Sequence, residues 1–166
     1  MALWSPEEAG AAAQYLRLDG KKLLELRSAE FDARHAVWVP SKEHGYAKAT
    51  LQDEKAEKDG YKKVMFDDGK VKDVKAEQID QQNPPKYELL EDMADMTHLS
   101  EAAVVYNLGE RYKLFLIYTY SGLFCVTVNP YKLLPVYADY VVPCYRGKRK
   151  TEMPPHLWSV ADNAYW

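Results

Sequence analysis

Two apolar runs, Leu114 to Tyr120 and Leu123 to Val128, have only Ser121-Gly122 between them. A two-residue connection containing glycine joins neighbouring antiparallel strands, so this spacing predicts a hairpin. Neither run alternates apolar with polar residues. Strands apolar on both faces belong inside a sheet that is covered above and below. A lone two-stranded hairpin is marginal in water. After Pro130 the chain reads as short helical segments with no further strand. The pattern therefore predicts a hairpin whose companions this chain does not supply, and a C-terminal half that is an incomplete part of a larger sheet.

Upstream the texture is different. Ser100 is a good N-cap and Leu99 is placed to staple onto Val104, which predicts a helix running to about Tyr112. Gly109 lies inside it, at a cost of about 1 kcal/mol relative to alanine. Asn83-Pro84-Pro85-Lys86 reads as a stiff linker over residues 81–86 that continues neither a helix nor a ladder. Before it, residues 34–80 hold four short strand patterns. These are Ala36 to Pro40, stopped by the proline, then Tyr46 to Leu51, Tyr61 to Phe66 and Val71 to Val74. A charged stretch, Asp53 to Asp59, separates the second from the third, and Asp68-Gly69 makes the last two a hairpin. Four strands in so short a span predict a small antiparallel barrel. Trp38, Tyr46 and Phe66 read as its core more than as a peptide-binding surface. Residues 1–33 predict a helical extension. Ser5, Pro6 and Glu8 form a capping-box pattern, Gly10 weakens that first helix, and a second short helix follows Gly20 with Leu23, Leu24 and Leu26 as a partial stripe. The last stretch, residues 87–166, is the second domain.

Composition excludes several classes. A net charge of −3 gives no case for nucleic acid. The acidic start, Ser5-Pro6-Glu7-Glu8, carries no basic n-region and is not a secretory signal. The apolar run from Leu114 to Tyr120 is far short of the roughly 20 residues a bilayer span needs. Cys125 and Cys144 lack metal-site spacing and read as reduced core thiols of an intracellular protein. His35, His44, His98 and His156 are scattered, which argues against a metal site. Asp92, Asp95 and Glu101 are explained by a nearby helix start. The basic run Arg146 to Lys150 reads as a solvated loop.

Several passages resemble the head of muscle-type (class II) myosin heavy chains, in the order that family shows. They are Asn83 to Tyr87, Glu91 to Thr97, Ile117 to Lys132 with its Tyr-Thr-Tyr-Ser-Gly-Leu-Phe and Asn-Pro-Tyr-Lys runs, Tyr145 to Arg149, and Pro154-Pro155-His156. The resemblance covers roughly residues 30–166. It implies an α+β chain: a small barrel of the Src-homology-3 type, then an incomplete α/β segment of the motor domain made of helices and one apolar hairpin. It implies an ATP-driven actin motor, cytoplasmic and in sarcomeric thick filaments, with Mg-ATP as cofactor. The implied partners are actin and light chains, with dimerisation through a rod; nucleic acid and membrane are not among them. It also implies that Asn129, Pro130, Tyr131, Lys132 and Tyr137 line an adenine pocket. The amide of Asn129 can read a base edge, the tyrosines offer ring faces, and Lys132 brings a charge.

The phosphate-binding counterpart is another matter. A phosphate loop needs two glycines five apart followed by Lys and Ser/Thr, and no two of the eight glycines here are five apart. The resemblance places that loop, the switches and the actin-binding cleft beyond Trp166. This chain alone is therefore expected to bind ATP weakly or undetectably and not to hydrolyse it. Two residues depart from the family pattern: Gly109, and Pro143, which is read as interrupting a helix from Tyr137 to Tyr145. The competing reading is a stand-alone protein-interaction module built on the small barrel, without nucleotide chemistry.

Overall fold

The computed structural model describes residues 4–52 and 60–166, so the charged stretch Asp53 to Asp59 lies outside the described residues. The chain forms two compact units. One comprises Leu26–Glu88 and Met96–Tyr106, the other Met1–Glu25, Leu89–Asp95 and Asn107–Trp166.

The first unit is built on five antiparallel strands: β1 (Ala36–Ser41), β2 (Gly45–Leu51), β3 (Tyr61–Phe66), β4 (Val71–Lys75) and β5 (Asp80–Gln81). Their order is β4-β3-β2-β1-β5. Side chains alternate across a strand, and one face gathers Val37, Val39, Ala49, Leu51 and Val64 into a buried core flanked by Phe66, Val74 and Ile79. On the other face Trp38 is buried against Tyr106, ring centroids 4.8 Å apart. The Lys48 ammonium donates to the Tyr106 hydroxyl at 2.8 Å and to Glu88 at 3.2 Å. Between β3 and β4, the Asp68 carboxylate accepts from the Lys70 N–H at 3.0 Å, and Gly69 turns at φ 78°. That turn is the one expected from Asp-Gly.

Three expectations change here. Pro40 does not stop β1, which runs on to Ser41. It lies beyond Val37 and Trp38, the residues β5 pairs with, so the missing N–H falls where β1 has no second neighbour. β5 itself is a strand of two residues, too short to leave a pattern. Third, the prolines of the linker do enter a helical turn: Pro85–Tyr87 is a 3-10 turn with proline at its start, where no N–H is needed. Asn83 is latched, its amide donating to the His98 carbonyl at 2.7 Å and its carbonyl accepting from the His98 N–H at 2.8 Å.

The second unit combines short helices, irregular chain and one hairpin. Its helices are α1 (Pro6–Ala9), α2 (Ala13–Leu16), α3 (Gly20–Arg27), the C-terminal part of α4 (Glu101–Lys113), α5 (Val142–Tyr145) and α6 (Leu157–Tyr165). Ser5 caps α1 by accepting from the Glu8 N–H, but its hydroxyl donates to Glu7 and no reciprocal Glu8 bond completes the box. Gly10 ends α1 at φ 50°. Ser100 caps α4 as expected, accepting from the Ala103 N–H at 3.2 Å. Leu24 and Leu99, each expected to pack, stay exposed. Pro143 does not interrupt a helix. The chain makes a 3-10 turn at Pro135–Tyr137 and a separate α5 whose first turn holds Pro143, where it costs little. No helix among the described residues is long and apolar enough to cross a membrane.

The hairpin is shorter than its apolar runs. β6 is Tyr118–Ser121 and β7 is Phe124–Thr127. Ser121 pairs with Phe124, so the turn residues are Gly122 and Leu123, with Gly122 at φ 58°. β6 is buried on both faces, and the cover comes from this same chain. Ala9, Ala12 and Leu16 of the N-terminal helices join Ile117, Tyr118, Val136, Val141, Tyr145 and Met153 in one core. The expectation that the hairpin goes uncovered therefore fails for β6. β7 differs: Phe124 is 74% exposed, Leu123 is 99% exposed, and among the described residues no strand pairs with its outer edge.

Candidate functional site

The residues expected to contact a base follow β7. Val128 closes the hairpin by donating its N–H to the Ile117 carbonyl at 3.0 Å. Directly after it, the Asn129 side-chain carbonyl accepts from the Tyr131 N–H at 2.9 Å, a local turn that asparagine makes with its own backbone. Tyr131 adopts φ 49°, left-handed backbone that a tyrosine rarely takes, and is 90% exposed. Lys132 places its ammonium 4.7 Å from the Phe115 ring centroid. Asn129, Tyr131 and Lys132 are thus exposed, with Pro130 half-buried between them.

Tyr137 is held separately. It is 52% exposed at the end of its 3-10 turn, and its hydroxyl is hydrogen-bonded to that of buried Tyr118 on β6. The two rings meet edge-on, 87° apart in plane with centroids 6.5 Å apart. Beside both lies fully buried His156, 4.6 Å from the Tyr118 ring and 5.7 Å from Tyr137, stacked on Trp158 and close to Tyr145. Its Nδ1 accepts from the Trp158 N–H at 3.0 Å and caps α6, so Nε2 carries the proton, and it has no hydrogen-bond partner among the described residues. Burial holds this imidazole down at about 4, neutral at ordinary pH. Burial likewise pushes the Tyr118 phenol well up. Among the described residues no hydrogen bond or ring contact joins the Asn129–Lys132 turn to Tyr137.

Two charged residues that pattern reading missed hold this arrangement. Arg111, buried on α4, donates to the Thr119 hydroxyl at 2.8 Å, the Tyr118 carbonyl at 2.8 Å and the Leu89 carbonyl at 3.0 Å. Desolvation lowers its guanidinium to about 10. Lys150, read as part of a solvated basic loop, instead donates to the Gly122 carbonyl and to Asp92 at 3.4 Å, with its ammonium 4.0 Å from the Tyr120 ring centroid. Asp92 does more than complement a helix start. Its carboxylate accepts from the Gly122 N–H at 2.9 Å and the Ala94 N–H at 3.0 Å, tying the hairpin turn to the segment that precedes α4. Next to it, Glu91 receives a two-pronged bond from Arg17, both contacts 2.6 Å, and its carbonyl accepts from the Tyr120 N–H at 2.7 Å. A signal for Arg111 existed: it is a lone arginine four residues after Asn107 on a helix face that also carries Ala103, all three buried.

Of the two cysteines, Cys144 is buried and Cys125 half-buried, both as free thiols. No cluster of metal-binding side chains occurs among the described residues. A pocket of about 440 Å³ lies by α5 and α6, lined by Val142, Tyr145, Arg146, Trp158, Asp162 and Trp166 among others; none of the five expected base contacts borders it. Compared with known families, residues 23–83 match the myosin N-terminal SH3-like domain, and residues 90–166 match the myosin head (motor domain).

Proposed function

We propose that this chain, a myosin by its N-terminal SH3-like and head sequence, is the amino-terminal part of a class II, muscle-type heavy chain that works as an ATP-driven actin motor. In this reading Asn129, Pro130, Tyr131, Lys132 and Tyr137 receive the adenine of Mg-ATP. Actin, light chains, rod dimerisation and a cytoplasmic thick-filament setting belong to the whole heavy chain. The observation that carries the reading is the exposed turn at Asn129–Lys132, with an Asn amide N–H₂, a tyrosine ring and a lysine all facing solvent at the end of a strand, where loops present ligand contacts. Asn129 spends its carbonyl on the turn and keeps its amide donors for a base.

The 166 residues contain no phosphate-loop pattern, so the base is the only part of the nucleotide these groups grip. Adenosine and ATP should therefore bind this chain with similar, weak affinity. Chemical-shift titration with each ligand tests the proposal. Perturbations centred on residues 129–137, with affinities within about tenfold of each other, are the expected result. Shifts elsewhere only, or ATP binding in the micromolar range, would count against it.

A second reading draws on the barrel unit, whose strands close over their own apolar core: a protein-interaction module. Limited proteolysis that leaves a stable core near residues 30–80 and rapidly digests the C-terminal half, with no adenosine response, would favour it.

A further inference from the structure

The basic run Arg146 to Lys150 ends against a hydroxyl, that of Thr151. Of all the serines and threonines in the chain, Thr151 alone has cationic side chains both two and three positions before it, Arg149 and Lys148. Arg146 stands two residues further back. The fold puts this hydroxyl at the surface. Thr151 and Arg149 are both exposed, and neither side chain makes a hydrogen bond or ion pair among the described residues. The Glu152 N–H donates to the Arg149 carbonyl at 3.0 Å, closing a turn with Thr151 at its corner. The Arg149 N–H donates to the Glu152 carboxylate at 2.9 Å, which occupies the acid next to the hydroxyl. Opening that turn gives up two surface hydrogen bonds that water replaces, so the segment is drawn out straight at small cost. Residues 148–152 belong to no helix or strand. A row of cations leading to an exposed hydroxyl on such a segment suits an enzyme whose cleft is acidic.

We propose that Thr151 is a phosphorylation site for a serine/threonine kinase that selects basic substrates, and that the phosphate draws Lys150 away from the hairpin turn. The Thr151 Oγ attacks the γ-phosphorus of the kinase's ATP. The Oγ–P bond forms as the bond to the β,γ-bridging oxygen breaks, the hydroxyl proton passes to a carboxylate of the kinase, and ADP leaves. The product carries between about −1.5 and −2 charges at pH 7 and seeks cations nearby. Lys150 is the adjacent residue, and its ammonium already serves the Gly122 carbonyl, the Asp92 carboxylate at 3.4 Å and the face of Tyr120. Its side chain is 34% exposed, so the phosphate competes with Asp92 for it from the solvent side. Because Asp92 also accepts from the Gly122 N–H at 2.9 Å, the Gly122 amide reports whether Lys150 is in place.

The test incubates the full chain with Mg-ATP and the catalytic subunit of cyclic-AMP-dependent protein kinase, beside a peptide of residues 145–155. Mass spectrometry should find phosphate on Thr151, and none in that segment of Thr151→Ala. Arg149→Ala keeps the backbone N–H that holds Glu152. It should lower kcat/KM by about tenfold, the worth of one charge-assisted contact. A peptide that accepts phosphate while the full chain does not shows the turn closed to the enzyme and overturns the site. Failure on peptide and chain alike overturns it too. An unchanged kcat/KM in Arg149→Ala sinks the role given to the basic run. In the phosphorylated chain the Gly122 amide resonance should move towards its position in Lys150→Met, while the amides of β1 to β3 stay where they were. A Gly122 amide that ignores the phosphate removes the link to the hairpin turn.

Discussion

The barrel unit and the hairpin unit use opposite means to cover a sheet. In the barrel unit, β1 to β4 pair in sequence order and β5 returns beside β1, and alternating side chains make an apolar core with no titratable group among its described residues. In the hairpin unit a sheet of two strands is covered by irregular chain and short helices from distant parts of the sequence. Polar clamps stand where further strands would. Arg111 holds the carbonyls of Tyr118 and Leu89; Arg17 reaches Glu91 across 74 residues, and Lys150 reaches Asp92 across 58. Of the buried side-chain polar atoms without a partner among the described residues, those on Tyr145, His156, Trp158 and Ser159 are in this unit and only Trp38 is in the barrel. Alternation closes a core cheaply and locally. Clamping leaves a core that answers to charge.

That contrast can be broken or sharpened by measurement. The largest effect is expected from Arg111→Met, which strands two carbonyls and a hydroxyl in the interior. At about 1–3 kcal/mol for each orphaned group, the hairpin unit should lose at least about 3 kcal/mol. Native-state hydrogen exchange reads this. Amides of β6 and α6 should lose protection while those of β1 to β3 keep it, and equal loss in both sets would show that the two regions stabilise as one.

Acid comes next. His156 titrates at about 4 when folded against an ordinary value of 6.5, so the unfolded chain takes up a proton that the folded one refuses. Stability contributed by the neutral imidazole is complete above pH 6.5 and is lost as pH falls towards 4, about 3 kcal/mol in all. Denaturation followed by Trp158 fluorescence should show that slope. His156→Asn, which can still cap α6, should flatten it. A smaller loss of about 1 kcal/mol is expected from Lys150→Met, read as a drop in melting temperature, since the ammonium is a third exposed and solvent already screens it. Smallest, and of opposite sign, is Gly109→Ala. A Cβ there meets nothing within 4 Å, and the helix should gain about 0.5–1 kcal/mol. No gain would mean that α4 is not limited by its own propensity.

The barrel was legible because its rules are local: Asp68-Gly69 announces a turn, and alternation announces a face. Ser100 announced α4 for the same reason. The hairpin unit was legible only in its existence. Apolar content showed that β6 is buried but could not say by what, because Ala9, Ala12 and Leu16 lie some 100 positions away and carry no periodicity that points to a strand. The same limit hid Arg111 and Lys150. A charged side chain in a pattern reads as solvent-facing, and its acceptors are backbone carbonyls, which every residue has and no sequence marks. Pro143 reads as a helix breaker in sequence, yet two shorter turns place it at a helix start, where proline is tolerated. The Asn129-to-Tyr137 motif could be found by its residue types, but not the hydroxyl pair that ties Tyr137 to β6.

The outer rim of β7 carries its own practical lesson. Among the described residues no strand pairs with its outward amides and carbonyls, the rings and methyls of Phe124 and Leu123 beside them are exposed, and such a rim recruits another strand whenever one is available. Copies of this chain at high concentration are each other's nearest supply. Titrations at millimolar protein would then report on self-association next to the very turn that ligands are meant to occupy. Dilution series, or a lysine placed at Leu123 to repel a second copy, belong in every such experiment.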